Sequence, residues 1–406
     1  MGFVGNIIIY LIMICTLLGA VAAIRDPEKG LGAEFISGLH SIGPVFIPVA
    51  GIMAAIPYLS GFITWALHPL FTSIGSDPSI AATAIVAVDM GGYQLADVVA
   101  ASRESWIMAM LVGYTSGATV VYLIPVGLAM LKKKYHKYLA LGSMAGFVSI
   151  PVAVIAAYLI TVATNTPVRE TITTVGAPAY HLVFNFKTMI ANLAPLVVFC
   201  LALSLGLKFK PNIMIKGFLI FGRFMDAAIK IVLACVIIEY FTGFFSTVFG
   251  SWGFDPIIAD EKDNFRALEI AGYIGIMLAG TFPMVFLIKK YMSRAMHWIG
   301  GKIGMTTSGA TGFLMVFANI IATYHLADEM RPRDLVLCIA FAVCAQAALG
   351  DHLAFSANFQ PAMIVSILAG KLIGGAFAVL LALKISVPSA ERLEVECGDW
   401  PVTETA

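Results

Sequence analysis

The sequence has little charge. Only 12% of its 406 residues are Asp, Glu, Lys or Arg, whereas 60% are hydrophobic, and the mean hydropathy is +0.91. An average soluble domain carries about twice this share of charge, and a chain this apolar has too few polar groups to cover its surface in water. The composition therefore predicts a membrane protein. The net charge of +1 also argues against a nucleic-acid-binding protein, which needs a basic surface.

The sequence also lacks the short motifs of enzymes and metal sites. It contains no CxxC pair, no HExxH motif and no GxSxG elbow. Five of its six cysteines lie inside apolar runs, which is typical of small core residues and not of a disulfide or zinc framework. We therefore expect no catalytic activity, no cofactor and no bound metal. An intramembrane enzyme is the alternative, but it would need a nucleophile with a base, or metal ligands, at a suitable spacing.

Long apolar runs are abundant. A membrane-spanning helix needs about 20 apolar residues, and the sequence has eleven candidate runs, at about 5–24, 44–66, 79–98, 105–131, 138–162, 190–207, 217–246, 269–288, 306–326, 335–359 and 362–385. The first run has no basic residues before it, so it is interpreted as a span and not as a signal peptide.

The charges of the short loops orient the spans, because Lys and Arg favour the cytoplasmic side. Three loops are basic, near 132–137, 208–216 and 289–302, and the loop at 247–268 is acidic. Placing the basic loops inside and the acidic loop outside fits every span from 138 to 302.

One run conflicts with this orientation. If 105–131 crossed the membrane, Arg103 and Lys132 would lie on opposite sides. A re-entrant hairpin at 105–131 removes the conflict, and Gly113 and Gly117 near its middle would permit a bend.

A second run, 335–359, carries polar residues where a lipid-facing helix should have none. Gly350, Asp351 and His352 lie at its centre, which predicts the tip of a second hairpin. The expected fold is an all-α polytopic membrane protein of about nine transmembrane helices plus two re-entrant hairpins, with the N-terminus outside and the C-terminus inside. Eleven plain spans are the alternative.

The chain resembles itself at an offset of about 230 residues. Ile74-Gly75 matches Ile303-Gly304, and Leu95-Ala96-Asp97 matches Leu326-Ala327-Asp328. These matches predict two inverted-topology repeats, a first at 1–162 and a second at 217–385. A connecting span and its loops would occupy 163–216, and a polar cytoplasmic tail 386–406. Inverted repeats with broken helices are typical of secondary transporters, whose substrate sites lie where the repeats meet.

Asp89 is the clearest ionisable residue within a predicted span, where a charge costs roughly 2.5–3.5 kcal/mol. Gly91 and Gly92 follow it and can open the helix, and Tyr93 offers an aromatic wall for a cation. A carboxylate in a wet cavity that receives a cation is the favoured interpretation. A structural acid paired with neighbouring helix dipoles is the alternative.

Four further residues complete the predicted substrate site. Asp351 and His352 form an acid–imidazole pair at the second hairpin, and Gln346 flanks it. The repeat places Asn319 within one position of the counterpart of Asp89, where its amide could bind a hydroxyl.

With these residues identified, the sequence resembles the ethanolamine utilisation transporter family, EutH. The strings that carry the resemblance are Asp89-Met90-Gly91-Gly92, Ala348-Leu349-Gly350-Asp351-His352-Leu353, Lys371-Leu372-Ile373-Gly374-Gly375 and Lys137-Tyr138-Leu139-Ala140-Leu141-Gly142. The resemblance implies a multi-pass protein of the bacterial inner membrane, surrounded by lipid, that brings in ethanolamine for catabolism by separately encoded enzymes.

Ethanolamine is a small primary amine that is mostly protonated at neutral pH. A site for it needs a carboxylate for the ammonium group and hydrogen-bonding groups for the hydroxyl. We assign Asp89 to the ammonium, Asp351 as a second acid, and His352 and Asn319 to the hydroxyl. A channel-like facilitator without ion coupling and a carrier of another small organic cation are the alternatives. The coupling ion and the oligomeric state stay open, and a homo-oligomer is one of the alternatives.

Overall fold

The structure is a computed structural model that describes the chain over residues 2–397 and side chains over residues 3–396. The last nine residues of the predicted polar tail, 398–406, lie outside the described residues. The part of the tail that is described begins with a helix, at Val387–Cys397.

The described chain is almost entirely helical. Its α-helices are α1 (Gly2–Arg25), α2 (Gly30–His40), α3 (Ile42–Ala54), α4 (Ile56–Phe62), α5 (His68–Ser73), α6 (Ser79–Ile85), α7 (Gly92–Val99), α8 (Arg103–Val112), α9 (Ile124–Met130), α10 (His136–Ala163), α11 (Phe186–Phe209), α12 (Pro211–Thr242), α13 (Phe244–Phe249), α14 (Ala267–Lys302), α15 (Thr307–Val316), α16 (Ile320–His325), α17 (Pro332–Ala345), α18 (Asp351–Phe359), α19 (Ile364–Ile385) and α20 (Val387–Cys397). Two short strands, β1 (Pro167–Val168) and β2 (Tyr180–His181), pair antiparallel.

Seven helical runs among the described residues are long and apolar enough to cross a membrane: Phe3–Arg25, Gly30–Ala54, Arg103–Met130, Lys133–Ala163, Phe186–Phe209, Ala267–Lys302 and Pro361–Ile385. The chain is therefore an all-α polytopic membrane protein, as its composition predicts.

The run at 103–130 differs from the predicted hairpin, because it does not turn back. It is one helical run in which α8 and α9 are joined by two π-helical segments, Gly113–Gly117 and Thr119–Leu123. The two glycines serve close packing instead of a bend. A Cβ added at Gly117 would lie 2.3 Å from the Val86 carbonyl oxygen, and one added at Gly113 would lie 3.1 Å from the Val88 nitrogen.

The chain turns back one segment earlier, at 79–99, which the sequence predicts as a span. α6 enters and α7 returns, so the ends of the segment meet, and the Ala101 amide donates to Asp77 Oδ2 at 2.9 Å. Hydropathy cannot separate these two arrangements, since a buried hairpin is as apolar as a span.

A second fold-back pair, α15 and α16, occupies 307–325, which is also predicted as a span. The Thr323 hydroxyl donates to the Gly312 carbonyl across the pair at 2.9 Å. The chain leaves the pair close to where it enters it, because the Thr306 amide and hydroxyl, just before α15, both donate to Asp334 at the start of α17.

The predicted hairpin at 335–359 contains a helix break at its centre but no reversal. Its two ends lie at opposite ends of α10, which at 28 residues is about 42 Å long. Lys132, just before α10, forms an ion pair with Asp328, whereas the amide of Arg169, beyond the other end of α10, donates to Gln360. α17 and α18 together therefore run the length of α10.

The charge conflict that motivated the first hairpin rests on Arg103 alone. The Arg103 guanidinium pairs with Asp97 and donates to the Glu170 carbonyl. Its charge is therefore compensated, although it lies on the side of the membrane opposite to the lysine loop.

The two fold-back pairs enter from opposite ends of α10, which is the geometry expected of inverted repeats. Gly75 and Gly304, which the sequence comparison aligns, precede the two pairs and have nearly equal left-handed φ angles of 71° and 75°. The proposed repeat boundaries themselves stay a prediction.

Candidate functional site

Four interruptions of regular helix converge on one cavity. It has a volume of about 220 Å³ and is lined by the break between α6 and α7, the break between α15 and α16, the break between α17 and α18, and the π-helical part of 103–130. The remaining side is closed by α3, by the residue that precedes it and by α14, with Ser41, Pro44, Val45, Pro48 and Phe282.

The break between α6 and α7 presents Asp89 to this cavity. Val86 and Ala87 are extended, residues 88–90 form a single 3-10 turn, and Gly91 follows in the left-handed region at φ 93°. Only glycine adopts this conformation without strain. A Cβ at Gly91 would also lie 2.9 Å from Ile52 Cγ2. The glycine therefore fixes the turn that aims the carboxylate.

The two other breaks are held together by their backbones. The Ala347 amide donates to the Val316 carbonyl at 3.1 Å, and the Leu349 amide donates to the Phe317 carbonyl at 2.8 Å. Ala347 has a positive φ of 52°, which costs a non-glycine residue of the order of 1 kcal/mol or more. These bonds satisfy peptide groups that a broken helix leaves free at membrane depth.

Asn319 and Asp351 occupy helix N-termini at the cavity wall. Asn319 caps α16 by accepting from the Ile321 amide at 2.9 Å, and its side chain also interacts with the Tyr122 hydroxyl at the cavity wall. Asp351 is the first residue of α18, where the helix dipole stabilises a negative charge.

A chain of polar contacts runs away from Asp89 into the protein. His352 Nε2 lies 3.9 Å from Asp89 Oδ1, and His352 Nδ1 lies 2.9 Å from the Nζ atom of Lys371. Lys371 is only 2% exposed and also donates to the Tyr114 carbonyl at 3.0 Å. A protonated Lys371 offers only donors, so we assign Nδ1 as the acceptor of this contact and the imidazole proton to Nε2, the nitrogen nearer Asp89.

Five of the eight predicted site residues line the cavity: Asp89, Asn319, Gln346, Asp351 and His352. The Gln346 amide nitrogen donates to the Ala118 carbonyl at 3.1 Å, which ties the third break to the π-helical segment.

The other three predicted site residues do not line the cavity. Gly91 and Gly92 shape the turn behind Asp89, and a Cβ at Gly92 would lie 2.5 Å from the Ala87 carbonyl oxygen. Tyr93 is fully buried, with its ring stacked on Trp106 at 4.5 Å and its hydroxyl accepting from Gln360 at 2.9 Å. These three residues pack behind the turn that carries Asp89. Substrate binding in the cavity stays a prediction.

Comparison with known families identifies a family for the chain. The chain matches the family model described as "Ethanolamine utilisation protein, EutH" over residues 4–385.

The chain belongs to the EutH family.

The match to three bacterial relatives covers most of each chain. The chain is 34% identical to a protein of Listeria monocytogenes, with 94% of each chain covered, and 32% identical to one of Salmonella typhimurium, with 97% of this chain and 98% of the relative covered. A relative from Escherichia coli is 31% identical over 94% of this chain and 95% of its own length. All three carry the name "Probable ethanolamine permease EutH". No solved structure matches the chain significantly.

These relatives and the seven candidate spans identify a multi-pass protein of the bacterial inner membrane.

Sequence reasoning gave no role to Lys371, although it lies in a string that carries the resemblance to the EutH family. The rule that singled out Asp89 applies to it equally, because it is an ionisable residue in the middle of the long apolar helix α19. Tyr122 also lines the cavity.

Proposed function

We propose that this EutH-family chain carries ethanolamine across the inner membrane as the protonated amine, held in the cavity at the helix breaks. The observation that carries the proposal is the convergence of two carboxylates, an imidazole and two amides from separate helix breaks on one small cavity. The name of the relatives, ethanolamine permease, supplies the substrate.

Each end of ethanolamine has a matching group in this proposal. The ammonium donates charge-assisted hydrogen bonds to Asp89, with Asp351 as the second acid. The hydroxyl accepts from His352 Nε2 and from the NH₂ group of Asn319, two residues that line the cavity.

The size of the cavity favours a very small substrate. Its volume of about 220 Å³ is below the roughly 300–1,000 Å³ of sites for drug-sized ligands. Two carboxylates suit a primary ammonium, which donates hydrogen bonds. A quaternary ammonium such as choline donates none and is bound better by an aromatic cage. Among the described residues that line the cavity, the phenyl and phenol rings are those of Tyr122 and Phe282.

The experiment is uptake of labelled ethanolamine into proteoliposomes, with and without an imposed proton gradient. We expect Asp89→Asn to lower the uptake efficiency by roughly tenfold or more, because a hydrogen bond to a charged group contributes about 1.5–3 kcal/mol. Asp226→Asn is the matched control, since Asp226 is exposed on α12 and pairs only with the exposed Lys230 in the described structure. It should transport like the wild type.

The outcomes separate the alternatives. Accumulation that collapses with the gradient indicates a proton-coupled carrier, and simple equilibration that is still lost in Asp89→Asn indicates a facilitator. Folded wild-type protein that gives no uptake, or an Asp89→Asn protein that transports at the wild-type rate, would overturn the proposed site.

A further inference from the structure

Lys371 is a buried cation that the proposed binding mode does not use. It lies near the middle of α19 and is 2% exposed, with its Nζ atom 2.9 Å from His352 Nδ1 and 3.0 Å from the Tyr114 carbonyl oxygen. Neither contact supplies a negative charge. A buried charge in a membrane protein needs compensation, and Asp89 lies just across the imidazole.

The charged groups at the cavity can be counted. Among the described residues that line it, Asp89 and Asp351 are the carboxylates, and no lysine or arginine is present. Lys371 stands behind His352, and with Lys371 as the cation Nδ1 is the acceptor of their contact and the imidazole carries no charge. Two carboxylates and one ammonium leave a single negative charge without a partner.

We propose that Lys371 is a specificity-determining residue: its resident charge cancels one of the two carboxylates, so that the cavity accepts one monovalent ammonium and rejects a diammonium ion. The inference rests on the proposed function and deepens it. Lys371 lies behind the His352 imidazole, so its charge acts on the cavity although its side chain does not line it.

Lys371 also joins structural elements, and the test must separate this role from its charge. Its bond to the Tyr114 carbonyl satisfies a peptide oxygen within the π-helical segment Gly113–Gly117, and the Tyr114 hydroxyl contacts Ser356 Oγ at 2.5 Å. A purely structural lysine would matter for stability, but its charge would not decide which cations bind.

The experiment measures uptake of labelled ethanolamine and its inhibition by 1,3-diaminopropane, a small dication at neutral pH. The wild type should resist the diamine. Lys371→Met leaves two uncompensated carboxylates, so we expect ethanolamine uptake to fall by roughly tenfold or more, since removal of one buried charge strands another. Sensitivity to the diamine should rise by a similar factor.

The decisive variant is the double substitution Lys371→Met with Asp351→Asn. It restores a single net negative charge, so ethanolamine uptake should recover above that of both single variants, and sensitivity to the diamine should return to the wild-type level. A double variant no better than Lys371→Met, or an unchanged diamine sensitivity in Lys371→Met, overturns the inference.

Two further measurements keep the inference falsifiable if Lys371→Met does not fold. Lys371→Arg keeps the charge with a different shape, so it should keep the discrimination against the diamine even if its rate falls. Wild-type protein alone is also informative, because competition by the diamine as strong as that by unlabelled ethanolamine contradicts the charge count. Failure of the wild type to take up ethanolamine at all would instead overturn the proposed function.

Discussion

Tyr93 illustrates how an aromatic residue next to a site can act through packing alone. Its ring stacks on Trp106 and meets Phe355 edge-on at 5.4 Å, and its hydroxyl accepts from Gln360. These contacts hold α7 against α8 and α18, beside the turn that carries Asp89. The residue therefore supports the position of the acid without lining the cavity.

Tyr93→Phe should accordingly lower stability and spare binding. The Gln360 amide nitrogen keeps its second acceptor, the Arg169 carbonyl, so the loss should be about 1 kcal/mol. Thermal unfolding in detergent measures this loss, and ethanolamine uptake should show an unchanged KM. A KM raised several-fold would mean that Tyr93 contacts the substrate.

Asn319 combines two roles that substitution can separate. Asn319→Ala removes the cap of α16, which costs about 1 kcal/mol, and also removes the amide donor from the cavity. Asn319→Ser keeps a capping oxygen but shortens the side chain. We expect reduced stability for Asn319→Ala alone and a raised KM for both, from unfolding and uptake measurements on the two proteins. A wild-type KM in Asn319→Ser would remove Asn319 from the substrate site.

Individual polar residues in apolar segments were the most informative feature of the sequence. Asp89, Asp351 and His352 stand out because lipid excludes them, and the structure brings all three to one cavity. Their partners could not be predicted, since the contact between His352 and Lys371 depends on how α18 packs against α19. The sequence shows that Lys371 lies in an apolar run, but it does not indicate which residue Lys371 contacts.

Among the secondary-structure elements, glycines contribute to the helix breaks in two different ways. Gly91 adopts a left-handed φ of 93°, whereas Gly117 keeps helical geometry and allows the extended segment at Val86 to approach. One residue type therefore marks a turn in one place and a close contact in the other. This ambiguity explains why the glycines near 113–117 predict a hairpin that the structure places one segment earlier.

Gly91→Ala tests the turn directly. Left-handed φ costs alanine about 1 kcal/mol or more, and the added Cβ would press against Ile52. We expect a lower unfolding temperature together with a loss of ethanolamine uptake, because the turn orients Asp89. Gly272→Ala in α14 is the matched control, since a Cβ there meets no atom within 4 Å. Equal behaviour of the two variants would contradict this role of Gly91.

For the whole molecule, the residues that flank the two fold-back pairs define the topology. The loop before α10 and the end of the second pair meet at Lys132 and Asp328, and the segment after α10 meets Arg103. Charge and hydropathy predict the orientation of the chain and the presence of interrupted helices. They could not assign which segments fold back, because that depends on contacts between helices and not on composition.

Cysteine accessibility measures this topology. In a protein without its native cysteines, Lys133→Cys and Glu329→Cys should react with a membrane-impermeant reagent from the same side, and Glu170→Cys from the opposite side. The pairing of Lys132 with Asp328 and of Arg103 with the Glu170 carbonyl is the basis for this expectation. Labelling of positions 133 and 170 from one side would contradict a full crossing by residues 103–130.

Equilibrium binding of labelled ethanolamine to the purified protein tests the substrate site without a gradient or a transport cycle. We expect saturation at one ethanolamine per chain. The affinity should fall by roughly tenfold or more in Asp89→Asn and stay at the wild-type level in Asp226→Asn. An Asp89→Asn protein that is folded and binds ethanolamine as tightly as the wild type would contradict the assignment of the cavity as the substrate site.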